Sequence, residues 1–272
     1  MFVNPVHAPD IATAWLEALR AVYASPGRKA LHTYVAIDNP TAEDPDLRFQ
    51  ADRIMAEFSM APIETVANTI FPAALATLCT SHEELVTRYR EIYPTLRDRW
   101  RQNRDGTYFG RLVAHPVGGE SDGYDQLGAV ISKLRTEYAH TQGGTKTAVY
   151  EAATIAIGDA EPSADIDGAT AAAGIFVPAR DKLPVGGFPC LSHCSFQLDR
   201  DGRVHLLAQY RSQYLVQRGY GNYLGLGRLL AHVCRYTGLL PGRLTVTAGY
   251  AQIEVSRPRK IAALIAQPNS LF

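Results

Sequence analysis

No stretch of the 272 residues is apolar over the roughly 20 positions that a bilayer-crossing helix needs, so a helical membrane span is not expected. Excess charge of one sign is missing as well. The 27 acidic and 27 basic residues balance, which removes any global electrostatic reason for polymeric nucleic acid or an anionic membrane as partner and leaves room only for a local basic pocket. Cysteine is scarce: Cys79, Cys190, Cys194 and Cys234 are too few and too irregularly spaced for the disulfide framework of a small secreted protein, and fit a reducing compartment. The first thirty residues place Asp10, Glu17 and Arg20 among apolar positions and so lack the unbroken apolar core of a signal peptide. These absences give the expectation of a soluble, cytoplasmic protein and say nothing of its chemistry.

Apolar content is ample. At 46% hydrophobic the chain can bury a real core. Residues 11–23 set Ile11, Trp15, Leu16, Leu19 and Val22 at helical spacing before the stop Ser25-Pro26-Gly27, which predicts an amphipathic helix. Residues 30–37 alternate and end at Asp38-Asn39-Pro40, a predicted strand. Residues 62–78 read as a buried helix broken near Pro72, and 83–100 as a charged helix interrupted at Pro94. Leu127, Val130, Ile131 and Leu134 share one face of a helix over 122–135, with Asp122 available as a cap.

Residues 147–157 predict a strand, and the Asp-, Ala- and Gly-rich stretch 158–170 an exposed loop. Residues 194–198 and 203–210 flank Asp199-Arg200-Asp201-Gly202 as a hairpin. A helix over 224–236 stops at Gly238, and a strand follows over 244–255. No repeat or linker divides the chain, so one α/β (α+β) domain spanning 1–272 is the economical reading.

Within Phe188 to Tyr250 a set of residues occurs in order: Pro189-Cys190, Phe196-Gln197, a hairpin, Arg211-Ser212, Asn222 eleven residues after the arginine, and Gly249. In order and spacing this segment resembles the core of the thymidylate synthase and pyrimidine hydroxymethylase family. Upstream, DGYDQLGAVISKLR is similar to that family's Asp-Gln helix, DGTYFGR to its Gly-x-x-Tyr-Gly-Lys stretch, and TLRDRW to its Thr-x-Trp-Asp-x-Trp motif. The resemblance runs from about residue 60 onward. It implies a mixed central sheet flanked by helices, and a homodimer packed sheet to sheet with a shared active site.

The implied chemistry starts from a thiolate. C5 of a pyrimidine is a feeble nucleophile, and adding sulfur to C6 turns the ring into an enolate that attacks a one-carbon electrophile. Cys190 is the candidate nucleophile, with Arg211 as the guanidinium that lowers its pKa. The bare alternative is a buried, inert thiol. The family spaces its cysteine closer to Phe-Gln, so Cys190 requires a small insertion and Cys194 is the other candidate. Cys190, His193 and Cys194 also make a C-x-x-H-C cluster, which lacks a fourth zinc ligand at motif spacing; no metal is expected.

By the resemblance, Arg211 and Ser212 bind the 5′-phosphate of a pyrimidine mononucleotide. Lys146 stands where the family's partner subunit supplies arginines, and Arg28 where a mobile loop supplies another. Asn222 would hold the base edge, since an amide both donates and accepts. Asparagine there tilts the base towards uracil, and its alternative is a helix cap. Gln252 and Glu254 replace the His and Tyr that fix the sugar hydroxyl, which admits ribonucleotides or a modified sugar.

The family's proton-handling glutamate falls at Asn68, which cannot act as an acid or base at neutral pH. Glu64, one turn earlier, is the substitute candidate. Phe109 takes the place of a tyrosine, with Tyr108 beside it, Arg97 replaces a Trp, and Tyr214 replaces an Asp. The closing residues Gln267 to Phe272 do not resemble the family's closure over folate. Two functions follow as expectations: C5 one-carbon transfer with 5,10-methylenetetrahydrofolate as donor, or a catalytically reduced, nucleotide-binding homologue with a regulatory or scaffolding role. Thiol addition that labilises a different bond, without folate, is a third.

Overall fold

The computed structural model describes residues 1–115, 123–141, 150–151, 172–175 and 189–266. Its described strands make one mixed sheet: β1 (Val6–Ala8), β2 (Lys29–Ile37), β3 (Tyr150–Glu151), β4 (Ala172–Gly174), β5 (Leu191–Leu198), β6 (Arg203–Tyr210), β7 (Gln213–Tyr214) and β8 (Leu240–Gln252). The order across the sheet is β1-β2-β8-β6-β5-β3, with β4 also on β5 and β7 also on β8. The β5–β6 hairpin is antiparallel, whereas β6 and β7 run parallel to β8.

Helices flank the sheet: α1 (Ile11–Tyr23), α2 (Pro45–Glu57), α3 (Ile63–Ile70), α4 (Ala73–Thr77), α5 (His82–Arg99), α6 (Tyr108–Val113), α7 (Gln126–Thr141), α8 (Tyr220–Thr237) and α9 (Arg259–Ile265). α1 forms because Asp10 Oδ1 accepts from the N–H groups of Ala12 and Thr13 at 2.8 and 3.0 Å, satisfying donors that have no intrahelical partner. Its apolar stripe Ile11, Trp15, Leu16, Leu19 and Val22 is buried. α8 ends at Gly238, whose φ of 73° is the left-handed cap that glycine adopts without strain.

α8 lies against α3 at very short range. A Cβ at Gly225 would stand 2.7 Å from the Ala67 carbonyl oxygen and 2.8 Å from Ile70 Cβ, so that position fixes the approach of the two helices. Across the sheet, Val35, Val246 and Ala208 form a buried row, while the adjacent residues Tyr34, Thr247 and Gln209 line up on the opposite face.

Three helices also meet through a buried polar chain. Asp125 Oδ2 lies 2.8 Å from His82 Nε2, and His82 Nδ1 lies 3.0 Å from His232 Nε2. Asp125 in addition accepts the N–H of Gly128 at 3.0 Å, tying the start of α7 to α5 and α8.

The break at Pro72 is found between α3 and α4. Pro94 does not interrupt α5, which runs through it; the C-terminal half is exposed, so the carbonyl that the proline leaves unbonded can be hydrated. The helix of the Asp-Gln segment begins at Gln126 under Asp125, while Asp122, the expected cap, lies outside the described residues. The last long strand begins at Leu240, earlier than 244, because its first residues pair with Arg203 and Val204 of β6. Of the strand expected over 147–157 only Tyr150–Glu151 is described, and the loop over 158–170 lies outside the described residues.

Candidate active site

The site is built where β5 begins and β6 ends. Antiparallel pairing sets Leu191 opposite Tyr210, so the residues just outside the hairpin, Cys190 and Arg211, become neighbours. The Arg211 N–H donates to the Cys190 carbonyl at 2.9 Å, and Arg211 Nε donates to the Pro189 carbonyl at 2.9 Å. From α6, the Tyr108 phenol oxygen accepts from the N–H groups of Cys190 and Leu191 at 3.3 and 3.5 Å. Tyr108 thus occupies the place beside the cysteine, and Phe109 turns into the core against Phe71 and Tyr89.

Electrostatics separates the two candidate thiols. Cys194 is wholly buried within β5, and desolvation alone pushes its pKa up to about 12. Cys190 is half-buried. Burial raises its pKa on balance, and the fields of Arg211 and then Arg218 offset only part of that rise. Only Cys190 of the two combines access with positive charge, the two conditions for a reactive thiolate. Tyr108, enclosed at the same spot, is pushed up to about 12 by burial and stays a neutral phenol.

After Arg211 the chain passes Ser212, half-buried at the turn, and β7. It then winds into a π-helical turn, Leu215–Gly219, that runs directly into α8. Asn222 therefore lies inside the first turn of α8, 5% exposed, and not at a capping position. Glu254, just beyond β8, accepts from the N–H of Gln217 at 2.5 Å and of Val216 at 3.4 Å, and burial raises its pKa. Gln252, at the end of β8, pairs with Lys29 and Tyr214 and accepts from the Tyr250 hydroxyl at 3.2 Å.

Arg28 adjoins the same strand end, because its carbonyl accepts from Ile253 N–H at 3.1 Å. It holds a φ of 55°, its guanidinium lies 5.2 Å from the Tyr23 ring centroid, and its buried Nε has no partner among the described residues. Such a donor, aimed where no protein acceptor stands, is compatible with an anionic ligand.

No family model and no curated protein matches the chain. Among solved structures, the chain is similar to thymidylate synthase from T4 phage, with a TM-score of 0.47 and 14% identity over 90% of this chain and 74% of that chain.

Glu64 and Asn68 lie one turn apart on the exposed side of α3. Glu64 accepts from Arg228 at 2.6 and 2.9 Å and from Arg48 at 3.0 Å, and those bonds, Arg228's first, hold its carboxyl below the usual range. Lys146 lies outside the described residues. Among the described residues no group of three His, Cys, Asp or Glu is placed to hold a metal ion, and no helix is long and apolar enough to cross a membrane.

Sequence reading misses three participants. Arg218 is one, through its field at Cys190; its position seven residues after Arg211 gives no warning of it. The others are Tyr210 and Gln213, buried near Cys190 and Tyr223, whose Oη and Nε2 atoms have no partner among the described residues. Their signal is weak: two polar residues that flank Arg211-Ser212.

Proposed function

We propose that the protein binds a pyrimidine mononucleotide and modifies C5 of the base through a covalent Cys190 adduct at C6. The observation that carries this reading is the half-buried Cys190 next to Arg211, whose N–H donates to the Cys190 carbonyl and whose Nε donates to the Pro189 carbonyl, both at 2.9 Å. The ordered residues Cys190, Arg211, Ser212 and Asn222 support it, as they suit a nucleophile, a phosphate clamp and a base-edge ligand.

In this reading Arg211, Ser212 and Arg28 take the phosphate, Gln252 and Glu254 border the sugar, and Asn222 meets the base. Sulfur then bonds to C6, the ring's C5–C6 electron pair moves onto the C4 carbonyl oxygen, and C5 becomes nucleophilic and takes up a solvent proton. Loss of the original C5 hydrogen as a proton and expulsion of the thiolate then restore the ring, so that the C5 hydrogen is exchanged.

For 5,10-methylenetetrahydrofolate, the donor that the resemblance implies, the described residues do not fit. The carboxylate nearest the expected position, Glu64, is bound to Arg228 and Arg48, and the Asn68 amide is neither an acid nor a base at neutral pH. The reading is therefore limited to the steps that Cys190 and its neighbours perform. Tritium release from C5-labelled UMP, dUMP and CMP tests it: release that needs Cys190 is expected, and none with any of the three overturns it.

The same commitment of Glu64 favours a second reading, a homologue that binds nucleotide without turning it over. Equal nucleotide affinity of wild type and Cys190→Ser, with no adduct by mass spectrometry, would decide for it. In either case the sheet face bearing Tyr34, Thr247 and Gln209 is the surface we assign to a second copy, with a homodimer expected in light scattering at low concentration.

A further inference from the structure

Residues 71–82 run from α3 to α5 as a strap against α8. α4, in the middle of the strap, buries none of its residues. The strap is seated instead by Phe71, Cys79 and His82, which are 5%, 4% and 2% exposed. Two of these seats rest on one side chain: the Phe71 ring centroid lies 4.9 Å from that of His232, and His82 Nδ1 lies 3.0 Å from His232 Nε2. On its other side His82 Nε2 meets Asp125 Oδ2 at 2.8 Å. Gly128 makes room for that contact, since a Cβ there would stand 2.5 Å from Asp125 Oδ2 and 3.3 Å from His82 Nε2.

Two ring nitrogens at 3.0 Å hold one hydrogen between them, because one must donate and the other accept. Two neutral rings meet that condition, and so does one neutral ring beside one charged ring. Two charged rings do not. Each then carries N–H on both nitrogens, so hydrogen faces hydrogen and two cations share a buried contact. The charged and titratable groups around the pair are Asp125 before α7, Glu83 on α5, Arg135 on α7, and Arg235 and Tyr236 on α8. Arg235 adds to the repulsion at His232, and Asp125 opposes it.

We propose that the His82–His232 contact is a proton-operated latch: with one hydrogen between the rings it seats the strap on α8, and charging of both rings parts His82 from His232 and lifts the strap while the sheet stays folded. The latch does not rest on the reading of Cys190. Burial, helped by the charges of His82 and Arg235, holds the His232 pKa down to about 3, whereas a histidine in water takes its proton at about pH 6.5. Between those values opening takes up a proton, so its equilibrium constant grows about tenfold for each pH unit of acidification.

Cys79, three residues before His82 in the strap, is a probe already in place. Dithiodipyridine modifies an exposed thiol in acid as well as at neutrality: the sulfur attacks the reagent's disulfide, a mixed disulfide forms, and one pyridinethione leaves with the thiol's proton. The rate at Cys79 is read by peptide mass spectrometry from about pH 7 to about pH 4, a span that covers histidine titration. Dividing it by the rate of the urea-unfolded chain at the same pH gives the extent of opening. Cys194, wholly buried in β5, reports global unfolding in the same sample.

Wild type is expected to show a Cys79 ratio that rises about tenfold per pH unit below about pH 6, with Cys194 still protected. His232→Gln, whose amide can bond to His82 but takes up no proton, should flatten that rise. Circular dichroism checks folding, and His82→Gln makes the same test if His232→Gln does not fold. A wild-type ratio that does not change with pH overturns the latch. So does a rise shared by Cys194, which means that acid unfolds the whole chain, or a rise undiminished in both glutamine variants, which places the titrating group elsewhere.

Discussion

The amide of Arg211 donates to the carbonyl of Cys190 at 2.9 Å, so the thiol's residue and that of its first counter-charge are neighbours through backbone alone. The antiparallel register of β5 and β6 enforces this before any side chain is placed. A substitution at either side chain therefore changes chemistry without unpairing the strands, which makes the site open to mutation.

Cys190→Ser is expected to abolish adduct formation while leaving stability within about 0.5 kcal/mol, as for other partly exposed positions. Cys194→Ala should do the opposite. It empties a small volume in the core at a cost of about 1 kcal/mol and leaves the adduct intact. Mass spectrometry with nucleotide and urea denaturation separate the two, and an adduct lost in Cys194→Ala but kept in Cys190→Ser would reassign the nucleophile.

Glu64→Gln removes the negative charge shared by Arg228 and Arg48 and leaves one acceptor oxygen. Its side chain is about half exposed, so solvent screening limits the loss to about 1 kcal/mol or less. Tritium release should persist in this variant. Complete loss of release with an unchanged melting temperature would restore Glu64 to a catalytic role.

Acid should weaken the fold through the chain Asp125, His82 and His232. Burial pushes the His232 pKa down to about 3, helped by the charges of His82 and Arg235 and opposed by Asp125. The unfolded chain takes up this proton near pH 6.5, so the stability this histidine contributes is fully present above that pH and is lost as pH falls towards 3. Between pH 7 and pH 5 the loss is about 2 kcal/mol. Urea midpoints at pH 7 and pH 5 measure it, and His232→Gln should flatten that part of the dependence.

Patterned elements are the legible part of this fold. α1, β2, the β5–β6 hairpin and α8 each carry an apolar stripe or alternation that local sequence encodes. α2 escapes sequence reading because only Ala51, Ile54 and Met55 of it are buried, too few to leave a period, although Asp44 before Pro45 is a start signal. Pro94 misleads because a proline in the exposed part of a helix costs less than one in its core.

In the site, Cys190 and Arg211 are legible because one hairpin joins them. Arg218 is not, since it stands in a π-helical turn that no periodicity announces. The sequence likewise offers Glu254 as a sugar ligand. That its carboxylate accepts backbone N–H groups of the turn depends on β7 joining β8, a pairing between segments far apart in the chain.

Trp15→Phe keeps the packing of α1 but strands the buried Leu215 carbonyl, at a cost of about 1–3 kcal/mol. Urea denaturation measures the loss, and an unchanged midpoint would show that the bond adds nothing to stability.

That indole bond joins residues 200 positions apart. The helix that supplies the indole is therefore synthesised well before the carbonyl it binds, and a nascent chain that has not yet reached residue 215 carries Cys190 without that bond.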